Sequence, residues 1–373
     1  MSNAFVSFYE KNGVSPVAQD ISNLKMHYNR RKNLLSTLGV TPIFLEGKSI
    51  LEFGPGSGHN SIFLASLKPK RFELVEGNSK GINDTKVMLE PFVDINIKLH
   101  YSFFEDFKIT KKFDLVWAEG CVPHQTEPLL IAKHISSYTK QGGVVVFSFN
   151  TGISYLSEIM RRIFTYQCFK NKNYSFTEKL NLIKPFISNH LKNLKSMSRY
   201  YDDWIIDSLL QPLNLTKLFT IPDAIHLLKD THNILLTSPK FVQDWRWYKD
   251  MIHDDPKTNE MTLNSYYKSN LNLLDFRFCD YTHSYEFGVK LENIGLKCWK
   301  LMCQIENGDE AMLPVFNNTI KDLIKIVKPY SQETVKSLVG SMDLINKPNL
   351  NSINDSFAQW WGRGQQYASF ICK

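Results

Sequence analysis

Three glycines at every second position stand in the stretch Glu52–Gly58, directly after a short apolar run. Glycine adopts backbone conformations that other residues avoid, and it lets a ligand approach the main chain closely. A loop of this kind that opens a helix turns its N–H groups towards a ligand. Glu76 ends the next apolar run, where a carboxylate can accept hydrogen bonds from ribose hydroxyls. The spacing therefore predicts a site for an adenosine-containing cofactor.

The elements that must position these residues are short apolar runs that alternate with helical patterns. This alternation predicts an α/β fold, a Rossmann-like, doubly wound and mostly parallel sheet with helices on both faces. Ligands bind such a sheet at the carboxyl ends of its strands, where the glycines and Glu76 stand. A helical pattern over residues 20–38 precedes the first strand. The predicted strands are Ser49–Phe53, Phe72–Val75, Ile95–Tyr101, Phe113–Trp117 and Gly143–Phe149.

After residue 150 the alternation stops, and the chain becomes helix-leaning, aromatic and interrupted by prolines. We expect a large helical insertion, a lid, after the fifth strand. A helix that ends at Gly295, a strand over Leu296–Met302 and a last strand over Gln366–Cys372 are expected to close the sheet. The expected organisation is a helical cap (1–45), a cofactor domain (46–150), a helical substrate insertion (151–283), closing strands (284–306 and 356–373) and a second helical insertion (307–355).

The stretch Glu52-Phe-Gly-Pro-Gly-Ser-Gly58 resembles motif I of the class I S-adenosylmethionine-dependent methyltransferases. The nicotinamide fingerprint, G-x-G-x-x-G, fits less well because its last glycine would fall on His59. Leu74-Val75-Glu76 is similar to the acidic second motif of the family. The resemblance covers residues 45–150. The other similar stretches are Phe104–Phe107, Phe113–Val116 and His124–Pro128, with weaker echoes in Leu291–Met302 and Gln366–Cys372.

The resemblance implies S-adenosylmethionine as cofactor and methyl transfer as the reaction. By position, the glycines would cradle the methionine part and ribose, Glu76 would bind the ribose hydroxyls, and Glu119 would lie beside the cofactor. Phe104 and Glu105 would lie near the adenine. The family usually has an acidic residue near Phe103, so here stacking, backbone contacts or Glu105 would hold the adenine. The implied cofactor residues are Glu52, Gly54, Gly56, Gly58, Glu76, Phe104, Glu105 and Glu119.

Two further expectations follow from the same resemblance. In related enzymes an N-terminal helix often closes over the cofactor, where Tyr28 could cover the sulfonium and Arg31 could meet the methionine carboxylate. His124, just beyond the fourth strand, is the leading candidate for a general base that deprotonates a hydroxyl acceptor. A structural histidine in the turn before Pro128 is the alternative interpretation.

The charge balance bears on the acceptor. Lys and Arg number 44 and Asp and Glu 37, which gives +7, spread evenly except over residues 159–201. That stretch holds nine basic residues against Glu178 alone, a net charge of +8, and indicates either a solvated helical face or an anion-facing surface. The basic residues are Arg161, Arg162, Lys170, Lys172, Lys179, Lys184, Lys192, Lys195 and Arg199.

The remaining motifs favour a protein without a structural metal. The six cysteines include no C-x-x-C pair, so they are expected to be ordinary thiols of a reducing compartment. His253, Asp254 and Asp255 could suggest a metal, but a polar loop before Pro256 is the favoured interpretation. We expect a cytoplasmic protein with no membrane span and no bound metal.

The sequence leaves the acceptor open. A small molecule or glycan, for example a phosphorylated or nucleotide-linked sugar, methylated on oxygen, is the leading hypothesis. A nucleic-acid methyltransferase that uses residues 159–201, or a non-catalytic S-adenosylmethionine-binding protein, are the alternatives. Four aromatic residues are candidates for stacking on sugar or aromatic rings, although packing between helices is the favoured interpretation for them. They are Trp204, Trp245, Trp247 and Tyr248.

Overall fold

A computed structural model describes residues 4–14, 18–213, 217–251 and 257–373. Its strands are β1 (Ser49–Phe53), β2 (Arg71–Glu76), β3 (Ile97–Tyr101), β4 (Phe113–Ala118), β5 (Thr139–Phe149), β6 (His232–Ser238) and β7 (Gln366–Cys372). Its helices are α1 (Ala4–Asn12), α2 (Leu24–Thr37), α3 (Ser61–Ser66), α4 (Ser79–Leu89), α5 (Pro128–Ser136), α6 (Leu156–Phe169), α7 (Phe176–Leu191), α8 (Tyr201–Ile205), α9 (Ile221–Leu228), α10 (Lys257–Ser269), α11 (Tyr285–Glu306), α12 (Met312–Val327), α13 (Gln332–Asn346) and α14 (Asp355–Gln359).

The seven strands form one sheet in the order β3-β2-β1-β4-β5-β7-β6. The first five are parallel to one another, whereas β7 runs antiparallel to both of its neighbours. This confirms the predicted Rossmann-like, doubly wound and mostly parallel sheet. The carboxyl ends of β1, β2 and β4 consequently lie side by side at one edge, where the predicted cofactor residues stand.

The central strands are buried on both faces because helices cover each side of the sheet. Every residue of β1 is buried, and β2 and β4 are buried almost throughout. On one face Leu35, Ile50 and Trp117 belong to a continuous apolar cluster with α3 and α4. Burying each such side chain stabilises the fold by about 1.5 to 3 kcal/mol. The rigid sheet edge that results is what positions the loops after each strand.

The chain divides into two compact units. Unit 1 holds residues 1–149, 219–266 and 366–373, and therefore the whole sheet. Unit 2 holds residues 150–218 and 267–365 and is helical, with α11 packed against α6 and α12. The predicted insertion 151–283 thus consists of two different parts, because residues 219–266 belong with the sheet.

Two strand predictions need correction. Leu296–Met302 is not a strand but the second half of α11, a helix of 22 residues. Gly295 does not end this helix: a Cβ on Gly295 would lie 2.6 Å from the backbone nitrogen of Ile153, so this glycine permits a close approach of two backbones. The strand beside β7 is instead β6, inside the stretch that we expected to be helical.

Among the residues that the structure describes, none of the helices is both long and apolar enough to cross a lipid bilayer. His253, Asp254 and Asp255, the suggested metal loop, lie outside the described residues.

Candidate cofactor site

The loop after β1 is shaped by glycines in the left-handed region of backbone space. Gly54, Gly56 and Gly58 have φ values of +68°, +58° and +79°, which favour glycine. A Cβ on Gly54 would lie 2.6 Å from the Cβ of Cys121, and one on Gly58 would lie 2.8 Å from the Cα of Thr85. Substitution at either position therefore meets both backbone strain and a steric clash.

Glu76 joins the end of β2 to this loop. Its carboxylate accepts hydrogen bonds from the backbone N–H of Gly56 at 3.0 Å and of Asn78 at 2.8 Å. Thr85 adds a hydroxyl bond to the carbonyl oxygen of Gly56 at 3.0 Å. Burial raises the pKa of the Glu76 carboxyl, although the backbone donors partly offset the rise. Two accepted bonds leave further lone pairs on the carboxylate.

Glu52, at the end of β1, is a buried carboxyl with an unmet acceptor. Among the described residues, none donates a hydrogen bond to its Oε2 atom. Burial raises the pKa of Glu52 to about 7, and the neighbouring Ser61 and Arg31 only partly oppose the rise. A buried polar atom without a partner is rare in proteins and indicates a ligand or an ordered water.

Arg31 of α2 reaches the end of β4. Its guanidinium donates two hydrogen bonds to the two carboxylate oxygens of Glu119, at 2.9 and 2.7 Å. Burial by itself would lower the pKa of Arg31, but Glu119 outweighs that effect and the pKa is raised. Within the described part of the chain, the buried Nε of Arg31 finds no acceptor. The guanidinium thus retains one buried donor beside the site.

Glu119 is surrounded by donors. Besides Arg31, it accepts hydrogen bonds from Trp117 Nε1 at 3.1 Å and from the Tyr367 hydroxyl at 2.9 Å. Burial would raise the pKa of Glu119, but Arg31 and the other donors more than compensate and the pKa is lowered. Glu119 therefore lies at the predicted strand end, and its oxygens hold Arg31.

Residues of α2 contact either the apolar core or the loop after β1 (residues 54–60, the glycine loop). The ring of Tyr28 packs edge-on against Phe63 with centroids 5.5 Å apart, so it faces the apolar core. His27 contacts the loop instead, with Nε2 2.9 Å from the carbonyl oxygen of His59. His27 and Arg31 are four residues apart and lie on one helix face. Burial lowers the pKa of His27.

After β3 lie the two predicted neighbours of the adenine, Phe104 and Glu105, and the adjacent Phe103. Phe104 is buried edge-on against Phe53, with its Cζ 3.3 Å from a Cβ placed on Gly54. Phe103 is 39% exposed, and its ring lies over Gly77, beside Glu76. Glu105 is exposed in the same turn.

His124 ends a short 3-10 helix, Val122–His124, beyond β4 and is half-buried. The chain reaches it through Gly120, whose N–H donates to the Ser148 hydroxyl at 2.7 Å, and through the buried Cys121. These contacts attach the turn to the carboxyl end of the neighbouring strand β5. His124 therefore lies at the same sheet edge as the cofactor residues.

Four residues that shape the candidate site were not predicted from the sequence. Trp117 and Tyr367 bind Glu119, His27 contacts the glycine loop, and Asn78 caps α4 with its side chain while its N–H binds Glu76. The position of His27 four residues before Arg31 was an available signal. The role of Tyr367 had none, because it arises only when β7 pairs beside β5.

In unit 2 the basic stretch 159–201 is largely engaged within the protein. Arg161 is fully buried, with its Cζ 3.6 Å from the ring centroid of Trp361. Arg162 forms a bidentate pair with Glu306, and its guanidinium is nearly buried. Three further ion pairs are Lys170–Glu310, Lys184–Asp202 and Arg199–Asp207. The +8 of the sequence is therefore not a continuous anion-binding surface.

The four aromatic residues predicted as candidates for stacking differ in their exposure to solvent. Trp204 is buried and packs edge-on against Trp361 within unit 2, as expected of a packing residue. Trp245, Trp247 and Tyr248 are 93%, 59% and 69% exposed, so packing between helices is the wrong interpretation for them. Among the described residues, no cluster of three or more His, Cys, Asp and Glu side chains is arranged to hold a metal ion.

Comparison with known proteins identifies the domain. Residues 25–192 match the family model of a methyltransferase domain, and this span contains α2, β1 to β5 and the loops described above. The chain thus carries a methyltransferase domain, and the family resemblance expected from its motifs is confirmed. A comparison with curated proteins found no match.

Solved methyltransferase structures are similar over part of the chain. The N-methyltransferase NodS from Bradyrhizobium japonicum WM9, in complex with S-adenosyl-L-homocysteine, is 16% identical with a TM-score of 0.32, and the match covers 40% of this chain and 75% of NodS. Magnesium protoporphyrin IX methyltransferase from Synechocystis PCC 6803 is 14% identical with a TM-score of 0.32, covering 40% and 77%. An S-adenosylmethionine-dependent methyltransferase from Clostridium acetobutylicum ATCC 824 is 17% identical with a TM-score of 0.31, covering 42% of this chain and 61% of that one, less than two thirds.

Proposed function

We propose that the protein is an S-adenosylmethionine-dependent methyltransferase that methylates a hydroxyl group of a small molecule or glycan. Within the methyltransferase domain, one observation carries the cofactor assignment. A buried acceptor, Glu52 Oε2, and a buried donor, Arg31 Nε, both lack a hydrogen-bond partner among the described residues. The amino-acid end of S-adenosylmethionine presents an ammonium and a carboxylate, which complement this acceptor and this donor.

The rest of the site fits the nucleoside. Glu76 has lone pairs left for the ribose hydroxyls after binding Gly56 and Asn78. The exposed ring of Phe103 over Gly77, rather than the buried Phe104, offers the adenine a stacking surface. Glu119 would act as a positioning residue, because its carboxylate fixes the guanidinium that meets the methionine carboxylate.

The chain's own residues then have three tasks. S-adenosylmethionine, when bound, supplies an already activated methyl group. The protein must align the acceptor, exclude water and remove the hydroxyl proton. We assign the last task to His124, which lies beyond β4 at the edge where the cofactor residues converge. Its imidazole would take the proton as the hydroxyl oxygen attacks.

The distribution of charge favours a small or carbohydrate acceptor over nucleic acid. Nucleic-acid binding depends on a continuous surface of unpaired Lys and Arg side chains that meet phosphates. In the stretch 159–201, by contrast, Arg161 is buried and four other basic residues form ion pairs. Five of the nine positive charges are therefore buried or paired, which breaks the continuity that a phosphate backbone requires.

Cofactor binding is tested by calorimetric titration with S-adenosylhomocysteine. We expect binding by the wild type, strong weakening by Glu76→Ala, and no change by Glu90→Ala, which removes an exposed carboxylate of the same unit. Failure of the wild type to bind would refute the proposal.

Turnover is tested by incubating the protein with labelled S-adenosylmethionine and sugars, nucleotide sugars or RNA. Label in a sugar, stable to conditions that cleave methyl esters, supports O-methylation. Label in RNA would support the nucleic-acid alternative. Cofactor binding without transfer to any of the three classes would favour a non-catalytic role.

A further inference from the structure

The segment Gln243–Asp250 carries three solvent-exposed aromatic rings on a fixed backbone. Trp245 is 93% exposed, Trp247 59% and Tyr248 69%. Large aromatic side chains bury 150 to 250 Å² each when they pack, so a group of three left in water marks a binding surface. None of these rings belongs to the cofactor site described above.

The segment begins at the carboxyl ends of the parallel strands, where the predicted cofactor residues lie. In the strand register, Ser238 at the end of β6 is paired with Tyr367, and Tyr367 is paired with Ser148 near the end of β5. The Tyr367 hydroxyl donates to Glu119, and the Ser148 hydroxyl accepts from Gly120. The chain that leaves β6 therefore starts beside the residues that hold Arg31.

Contacts before and within the segment hold it in place. Before it, Phe241 is buried against Tyr266 with centroids 5.1 Å apart, and its N–H donates to the Thr237 hydroxyl at 2.7 Å. Within it, Arg246 is bound to the Asp244 carboxylate and contacts the Thr258 hydroxyl of α10 at 3.3 Å. The backbone is thus anchored while the rings face solvent, which lowers the entropic cost of binding.

Charge and shape indicate the kind of ligand. Arg246 is neutralised by Asp244, and the Lys249 ammonium lies 4.6 Å from the ring centroid of Trp247. The segment holds two basic and two acidic residues, so it lacks the surplus of cations that anionic lipids or nucleic acids require. A small apolar acceptor needs an enclosing pocket. Trp247 and Tyr248 meet edge-on, with ring centroids 5.7 Å apart and ring planes at 75°. Exposed ring faces set at an angle to one another suit instead a ligand that stacks its C–H faces and keeps its hydroxyl groups in water.

We propose that Gln243–Asp250 is a carbohydrate-binding platform for the methyl acceptor, on which Trp245, Trp247 and Tyr248 stack against pyranose rings. This inference rests on the proposed methyltransferase function and specifies its acceptor as a saccharide of at least two residues.

Tryptophan fluorescence tests the platform directly. Of the seven tryptophans, all within the described residues, only Trp245 and Trp247 are exposed, so iodide quenching reports on this segment. Four disaccharides are titrated one by one: cellobiose, mannobiose, chitobiose and maltose. We expect at least one of them to reduce the quenching of the wild-type tryptophan fluorescence by iodide. Trp247→Ala should weaken the binding of that disaccharide by about tenfold. Phe44→Ala, which removes an exposed ring before the start of β1, should leave the affinity unchanged.

The outcomes separate this proposal from the proposed function. Protection by none of the four disaccharides, or protection that survives both Trp247→Ala and Trp245→Ala, overturns the platform. Protection only by phosphatidylglycerol vesicles overturns it as well and assigns the rings to a membrane surface. S-adenosylhomocysteine is titrated in parallel: Trp247→Ala should bind it as the wild type does, and absent binding by the wild type would refute the methyltransferase function independently of the disaccharide result.

Discussion

Arg31 and Glu119 stand 88 positions apart in the chain and form a bidentate ion pair with N–O distances of 2.9 and 2.7 Å. The pair joins α2 to the carboxyl end of β4 and orients the guanidinium beside the glycine loop. Because both groups are largely buried, each one requires the other. A cofactor carboxylate that approaches Arg31 therefore meets a donor already fixed in place.

Removing the charge of Glu119 should loosen Arg31. We expect Glu119→Gln to weaken S-adenosylhomocysteine binding by about 10- to 100-fold, since one buried charge pair is worth about 1.4 to 3 kcal/mol here. Calorimetry measures the affinity, and thermal unfolding followed by circular dichroism checks that the variant folds. Asp84→Asn, which breaks the exposed pair with Lys80, serves as the control and should change neither quantity appreciably. Equal affinity of Glu119→Gln and wild type would refute the positioning role.

The raised pKa of Glu52 gives cofactor binding a distinctive pH dependence. Because the folded-state pKa of about 7 exceeds the ordinary 4.5, the fold favours the neutral carboxyl. Its contribution to stability is complete below pH 4.5 and is lost as the pH rises through about 7. The ionised form attracts the ammonium of the cofactor. Binding of S-adenosylhomocysteine should therefore tighten by about tenfold between about pH 6 and about pH 8 in the wild type.

The same titration of Glu52→Gln controls for the ionisation of the cofactor itself. This variant should lack the tightening that the wild type shows, and calorimetry in buffers of different ionisation enthalpy should detect proton release only in the wild type. Identical pH profiles for the two proteins would contradict an ammonium contact at Glu52.

Substituting alanine for a glycine of the loop after β1 should destabilise the protein for two separable reasons, backbone strain and a steric clash. Gly54→Ala combines a φ of +68° with a Cβ 2.6 Å from that of Cys121, whereas Gly47→Ala has a φ of +70° and, among the described residues, no heavy atom within 4 Å. We expect Gly47→Ala to lower the free energy of unfolding by about 1 kcal/mol and Gly54→Ala by about 2 to 4 kcal/mol. Urea denaturation measures both. Equal losses would show that close packing at Gly54 is unimportant.

His124 should matter for transfer and not for cofactor binding. With an acceptor identified by the labelled-donor screen, we expect His124→Ala to reduce kcat by about 100- to 10,000-fold, as for loss of a general base. S-adenosylhomocysteine affinity should remain that of the wild type. His226→Ala, which removes an exposed histidine of α9, is the matched control. Undiminished kcat in His124→Ala would exclude the histidine as the base.

In unit 2, Arg161 should be indispensable for stability. Its guanidinium donates to the carbonyl oxygens of Ser157, Phe357 and Trp360 and to His190, and burial lowers the pKa of Arg161 to about 9. Arg161→Lys cannot reproduce this fork of donors, so we expect a loss of about 3 kcal/mol in the free energy of unfolding. Urea denaturation followed by fluorescence measures it, with Lys172→Met, at an exposed cation of the same unit, as control. A loss below about 1 kcal/mol would contradict this assignment.

The parts of the molecule that were predictable have local signals. The apolar runs of β1 to β5 can be recognised within a few residues because burial on both faces restricts a strand to apolar residue types. The glycine spacing can be recognised as locally because a positive φ favours glycine. Ser49–Phe53 and Gln366–Cys372 were predicted with the bounds that the structure has. The α2 region was predicted as a helix over 20–38 and extends over Leu24–Thr37.

The parts that were mispredicted depend on partners far away in the chain. β6 is a strand because β7, more than a hundred residues later, pairs with it. Gly295 is typical of a helix end by type, yet it lies inside α11 because the backbone of Gly152 approaches it. Neither partner is visible in the local pattern.

The sequence by itself determined the resemblance to methyltransferase domains, the parallel sheet and the positions of the carboxylates and glycines at its strand ends, because each is set by a short-range pattern of polarity and backbone freedom. Tertiary structure alone decided how these groups are paired. It bound Arg31 to Glu119, left the Oε2 atom of Glu52 without a hydrogen-bond partner among the described residues, and paired or buried five of the nine cations of the basic stretch. It also left Trp245 and Trp247 in water. Pairing and exposure follow from distances in space, which residue types and their spacing do not encode.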